Sequence, residues 1–246
     1  MFLADNPSFN GKIRSLFALA PAGSIHYTRG LARLILMSYP ILNPLFRLHR
    51  LLFGPQQVGN QIMQLIGLLA ERVCLPLFSQ VINSSICDPG WIWVAGPPSP
   101  SFNKSRQAVY LSHYPDGTSS MVIEHFGQMA VADEIRHFDP DFFSDAYKAR
   151  TALYNYSNID VPIYIFWSRN DWLTSPYEID RVLFPRMRKG VIKATYEVPL
   201  YNHADFLYAT DNAERVFSGI VKLIKDEELG NQGHTSHKLG PSEHFS

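Results

Sequence analysis

Between Val161 and Val198 the chain runs from apolar stretch to polar turn to helix-like segment and back to apolar stretch, and each change of rhythm carries a boundary signal. Val161–Trp167 is a short, almost unbroken apolar run that stops at Ser168-Arg169-Asn170-Asp171, which predicts a strand buried on both faces of a parallel sheet. Ser175 is placed to cap the next helix, Pro176 suits its first position, and Glu178 completes a capping box. Ile192–Val198 predicts a second strand, with Tyr201-Asn202-His203-Ala204-Asp205 as the loop after it. Nearer the start, Met1 to Pro7 reads as the last turn of a helix, and Ile13–Ala20 as a third buried strand ending at Pro21. Helical spacing marks Val58–Leu77, Thr118–Val131 and a final amphipathic segment with apolar residues at Val216, Phe217, Ile220, Val221, Leu223 and Ile224; a Pro- and Gly-rich stretch covers Asp88–Ser101. The pattern is that of an α/β fold.

The longest apolar region, Leu31–Phe53, is interrupted by Arg33, Pro40, Asn43, Pro44, Arg47, His49 and Arg50. It falls short of the roughly 18 to 20 apolar residues that span a bilayer and predicts one or two amphipathic helices instead. Their apolar faces either pack on the body of the protein, the commoner use of such stripes, or meet lipid. Asp5 and Pro7 break any secretory signal at the start. Residues 229–246, rich in Gly, Ser and His, have little to bury and are expected to be a disordered tail.

Composition narrows the function classes. The chain has 246 residues with 22 basic and 22 acidic side chains, so its net charge is zero and nucleic acid is not an expected partner. Aromatic residues make up 13%, which suits a lipid-facing insert and a bulky core equally. No glycine-rich phosphate loop and no internal repeat occurs. Asp133, Glu134, His137, Asp139 and Asp141 lack tight metal-ligand spacing and are read as a solvated helix end, so neither metal nor cofactor is expected. Three sequons, at Asn83, Asn103 and Asn155, are candidate glycosylation sites and favour a secretory route; Asn6 is excluded by Pro7.

The chemistry concentrates on Asp171 and His203. Each follows a predicted strand, so both fall on the rim where open α/β sheets bind ligands. A carboxylate that orients an imidazole, which in turn acts as a general base, is two thirds of a Ser-His-Asp triad, and the acid-then-histidine order is that of the α/β-hydrolases. Asp205 is read as a brace for the loop.

Four segments, SLFALAPAGSIHYTRG (15–30), YLSHYPDGTSSMVIEHFGQMAV (110–131), RNDWL (169–173) and YNHADFLYATDNAERVFSGIV (201–221), together resemble the acid lipase family of α/β-hydrolases, the gastric and lysosomal type. The likeness covers roughly residues 1 to 225. It implies a partial α/β-hydrolase core at 1–27 and 159–228 and an inserted helical cap or lid at 28–158. It implies Asp171 as catalytic acid, His203 as catalytic histidine, a short-range disulfide between Cys74 and Cys87 (wider spaced here than in the family), and His113 as a structural position. The implied substrate is a neutral lipid ester, triacylglycerol or cholesteryl ester; peripheral contact with a lipid surface and a secreted or lysosomal location follow.

The nucleophile is the difficulty. The family's G-x-S-x-G elbow lies one helix upstream of the Ile13–Ala20 strand, and no such motif occurs within the 246 residues. Ser119 and Ser120, after Gly117-Thr118, lack the second glycine, and Thr118 or Ser119 is better placed to cap a helix. The chain is therefore expected to begin after the serine, to lack both usual oxyanion donors, to be inactive alone, and to leave one edge of Ile13–Ala20 open. The alternative is a non-catalytic pseudo-hydrolase that binds lipid or a partner.

Overall fold

The computed structural model of the protein describes residues 1–53, 57–58, 95–106, 109–110, 118–140 and 152–230. Cys74, Cys87, Asn83, His113, Asp141 and the tail beyond Gly230 lie outside those residues.

Three strands form a parallel sheet in the order β1 (Leu16–Leu19), β4 (Ile163–Trp167), β5 (Ile192–Glu197). β4 is central. Leu16 pairs with Ile163 on one side, and Ile163 with Ile192 on the other, with a register irregularity between Ile163 and Tyr164. Burial follows that order: Ile163, Ile165 and Phe166 are buried, whereas Leu16 is exposed and the rest of β1 half-buried. The expected strand Ile13–Ala20 is thus shorter and wetter than its composition suggests, because β1 has a bonded neighbour on one side only among the described residues. Phe166 stacks on Tyr196 at 4.9 Å and Phe17 on Tyr164 at 5.1 Å, so aromatic pairs tie β4 to both neighbours.

Helices cover this sheet. Phe206, from α5 (Asp205–Tyr208), and Leu223, from α6 (Ser218–Gly230), join Phe166, Tyr196, Val198, Tyr201 and Val216 in one buried cluster. The apolar stripe of the final segment is only partly used: Val216 and Leu223 are buried, while Phe217 and Val221 are exposed. At the N-terminus α1 (Phe2–Asp5) and a 3₁₀ turn at Pro7–Lys12 are tied to the chain before β4, where Asn158 Nδ2 donates to the Ala4 carbonyl (2.9 Å) and Asn10 Nδ2 to the Asn158 carbonyl (2.7 Å).

The chain divides into two compact units. Met1–Gly23, Ala95–Phe102 and Tyr154–Ser246 make the sheet unit; Ser24–Val94 and Asn103–Leu153 make the other. The second unit contains α2 (Gly30–Met37), α3 (Tyr39–Phe53), a two-residue pairing of β2 (Gln57–Val58) with β3 (Thr118–Ser119), and α4 (Ser120–Ala132). Ser119 caps α4, its Oγ accepting from the Met121 amide at 3.2 Å, which is the capping role expected for the Thr118-Ser119 turn. Tyr39 of α3 packs directly on Gly127 of α4: a Cβ there would lie 2.4 Å from the Tyr39 ring. Among the described residues no helix is long and apolar enough to cross a membrane.

Candidate active site

β4 ends at Trp167, and the turn after it is built from its own side chains. Ser168 Oγ accepts from the Asn170 amide (3.2 Å), and Asp171 then curls the chain into an Asx-type turn. Asp171 Oδ1 accepts from the amides of Leu173 and Thr174, both at 2.8 Å. Its Oδ2 accepts from Thr174 Oγ1 at 2.7 Å and faces His203 Nδ1 at 2.9 Å. Four donors therefore meet a carboxylate that is 1% exposed, whereas the His203 side chain is 30% exposed. Ser175 follows as the helix cap, accepting from the Tyr177 amide at 3.1 Å.

His203 arrives from the other strand. After β5 the chain passes Leu200, held at φ 69°, and enters α5 through a reciprocal cap. Asn202 Oδ1 accepts from the Asp205 amide (2.9 Å) while Asp205 Oδ2 accepts from the Asn202 amide (2.8 Å). His203 lies between these two residues. Asp205 also accepts from the Ser99 amide at 3.0 Å, so the brace expected of it is present and extends to a further segment. Burial pushes the Asp205 carboxyl up, against the downward pull of those amides.

That further segment, Ala95–Phe102, welds the two loops together. The Ala95 carbonyl accepts from the amides of Trp172 (3.2 Å) and His203 (3.1 Å), one from each loop. The Gly96 carbonyl accepts from Asn202 Nδ2 at 2.8 Å. Asn170 Nδ2 donates both to Pro97 O and to Leu200 O, each at 3.0 Å. Gly96 is required here: its φ is +102°, and a Cβ would stand 2.4 Å from the Asn170 carbonyl. Behind α5, the Tyr201 hydroxyl donates a very short bond to Asp211 Oδ1, and Ser101 Oγ donates to Asp211 Oδ2 at 2.6 Å. Burial and this bond push the Tyr201 phenol up. Burial would raise Asp211 too, yet the bonds from Ser101 and Tyr201 and the nearby Arg215 hold it below its usual value.

Because an ionised carboxylate only accepts, the His203 nitrogen facing Asp171 donates, and a neutral ring then carries its lone pair on Nε2. The geometry therefore presents a bare imidazole nitrogen at a partly exposed position, backed by a buried carboxylate. Sequence reasoning picked out Asp171, His203 and Asp205. It missed Thr174, Asn170, Asn202 and the Ala95–Pro97 backbone; the only signal for the last was the Pro- and Gly-rich composition of Asp88–Ser101.

The remaining candidates do not join this site. Ser119 caps α4, and Ser120 is fully buried. The acidic cluster after α4 is not a solvated helix end: Arg136 and Asp139 are buried, and Asp133 accepts from Ser24 Oγ (3.0 Å) and the Tyr27 hydroxyl (3.2 Å). No group of residues suited to a metal ion occurs among the described residues. His26 and His125 each donate a 2.6 Å bond to a backbone carbonyl, of Ala130 and Arg136 respectively. In both described sequons the hydroxyl of the third residue bonds the asparagine: Ser105 Oγ to Asn103 Oδ1 at 2.7 Å, and Ser157 Oγ to Asn155 Oδ1 at 2.5 Å.

No protein-family model matches the chain. It is 25% identical over 236 residues to lipase lipl-1 of Caenorhabditis elegans, covering 92% of this chain and 55% of that protein. It is 27% identical over 234 residues to human gastric triacylglycerol lipase, covering 92% and 54%, and 28% identical over 241 residues to mouse lipase member M, covering 95% and 53%. The chain thus spans about half the length of the curated relatives it matches. Likeness sustained over more than nine tenths of the chain makes it a relative of the acid and gastric lipases.

Proposed function

We propose that Asp171 and His203 are the acid and base of a Ser-His-Asp ester hydrolase acting on neutral lipids, triacylglycerol or cholesteryl esters, with a serine that is not among these 246 residues. The observation that carries this reading is the 2.9 Å contact between His203 Nδ1 and a buried Asp171 oxygen. In the proposed reaction His203 Nε2 takes the serine proton as the serine oxygen bonds to the ester carbonyl carbon. Asp171 stabilises the imidazolium that forms. The carbonyl–alkoxide bond then breaks, the proton passes from Nε2 to the departing glycerol or sterol oxygen, and water repeats the sequence on the acyl-serine. The helical unit is read as a cap that excludes water and gives acyl chains apolar cover. A secreted or lysosomal location, with glycans on Asn103 and Asn155, fits the same reading.

The alternative reading is a pseudo-hydrolase that binds lipid without cleaving it. One experiment separates the two. The longest in-frame product containing these residues is expressed and assayed on tributyrin and triolein, beside its His203→Ala variant and the 246-residue chain. Hydrolysis by the long product that is lost with His203→Ala supports the hydrolase; no hydrolysis by any form leaves the binding protein.

A further inference from the structure

The turn that carries His203 turns one face to water, and His203 shares that face with a leucine. The reciprocal bonds between Asn202 and Asp205 make Asn202 the cap of this turn, so helical backbone begins at His203, just ahead of α5. The Ala204 carbonyl closes the turn by accepting from the Leu207 and Tyr208 amides, both at 3.0 Å. Residues four apart on a helix stand on the same face, which pairs His203 with Leu207. The side chains between them point inward: Ala204, Asp205 and Phe206 are all buried, Phe206 in the core cluster. Leu207 is 69% exposed.

A second leucine flanks the histidine from the strand side. Leu200 is 59% exposed and held at φ 69°, a conformation that costs a bulky residue about 1 kcal/mol. Its carbonyl accepts from Asn170 Nδ2 at 3.0 Å, which ties it to the turn that carries Asp171. Core packing accounts for neither side chain, and Gly or Asn would suit the backbone at 200 better. A lone exposed leucine is ordinary. Position sets this pair apart: they lie three residues before and four after a histidine whose Nδ1 is taken by Asp171, which leaves Nε2 to meet substrate.

In the acyl transfer proposed above, Nε2 passes its proton to the departing alcohol oxygen, so side chains beside that nitrogen face the alcohol half of the ester. The acyl half stays on the serine after the alcohol has gone. We propose that Leu207 and Leu200 form an apolar wall against the alcohol portion of the substrate and set a preference for esters of bulky apolar alcohols over small ones. The inference rests on the hydrolase reading and deepens it, since diacylglycerol and sterol are both bulky apolar alcohols.

Two ester series tell the halves of the substrate apart. The longest in-frame product is assayed on the butyrates of methanol, butanol and hexanol, and on the ethyl esters of butyrate, hexanoate and octanoate. Leu207→Gln keeps side-chain length and helix propensity but removes the apolar end. It should lower the kcat/KM ratio of hexyl to methyl butyrate about tenfold, and Leu200→Asn about threefold, while the octanoate-to-butyrate ratio moves less than about twofold. Leu207→Met should restore the parent ratio. The melting curve of Leu207→Gln should match the parent's, because the position is exposed. Hydrolysis by the parent with an unmoved hexyl-to-methyl ratio in Leu207→Gln would overturn the proposal and leave the hydrolase standing. So would an equal fall in the octanoate ratio, which would set Leu207 against the acyl chain. No hydrolysis by the parent, or hydrolysis that survives His203→Ala, would remove the hydrolase reading and this inference with it.

Discussion

Asp171 Oδ2 faces His203 Nδ1 at 2.9 Å across 32 positions of sequence, and the contact is held from three sides. The acid loop supplies its own amides, the histidine loop is fixed by the Asn202–Asp205 cap, and Ala95–Pro97 bonds to both. Very little of this depends on the ring itself. It is a scaffold that sets a carboxylate and an imidazole at hydrogen-bond distance before any substrate arrives.

Gly96 tests the scaffold. Gly96→Ala places a methyl group 2.4 Å from the Asn170 carbonyl at a φ of +102°, and should lower stability by about 2 kcal/mol or more in urea unfolding. Gly190→Ala is the control: φ is +83° there, but no atom lies within 4 Å, so the loss should stay near the ~1 kcal/mol of a left-handed alanine. Equal losses would show that the Gly96 contact is not tight.

Thr174 shares the oxygen that His203 uses, so we expect it to position and polarise Asp171. Thr174→Val keeps the shape and removes the hydroxyl. It should shift the ¹⁵N resonances of the His203 ring and, on the proposed function, slow ester hydrolysis by the longest in-frame product about fivefold, the equivalent of one lost hydrogen bond of ~1 kcal/mol. Thr174→Ser should restore both. A fall in stability with no change in the ring resonances would reduce Thr174 to a structural role.

Two acids behind the site give opposite pH slopes. Asp211 is held below 3.8 in the fold, so it contributes stability above that pH that is lost as pH falls through its folded value. Asp205 is raised above 3.8 by burial, so the fold favours its protonated form, and stability is lost as pH rises from 3.8 through its folded value. Asp211→Asn should therefore flatten the acid limb of a stability–pH profile, and Asp205→Asn the descending limb above it. Urea midpoints measured across that range decide the matter; identical profiles for both variants would refute the assignment.

The strands, the order acid then histidine and the cap of the helix after Asp171 were legible because each is written locally, in a run of apolar residues or a Ser-Pro-x-Glu signal. The likeness to acid lipases was legible for the same reason, since its four segments are short and contiguous. What was not legible depends on contacts between distant segments. Nothing in Ala95-Gly96-Pro97 announces that its carbonyls will bond residues more than seventy positions away. Nor does Ile13–Ala20 show in its composition that its strand will be half-buried instead of buried. The Asp133–Asp139 stretch misled for a related reason: Ser24 and Tyr27 bond the Asp133 carboxylate and Gln128 bonds the Asp139 backbone, which sequence proximity does not reveal.

The most direct measurement is the tautomer of the His203 ring, read from long-range ¹H–¹⁵N correlations at a pH where the ring is neutral, in the parent chain and in Asp171→Asn. The account predicts the proton on Nδ1 and a bare Nε2 in the parent, with that preference lost in the variant, where an amide can donate where the carboxylate accepted. A parent ring protonated on Nε2, or one indifferent to Asp171→Asn, would mean that Asp171 does not prepare His203 as a base.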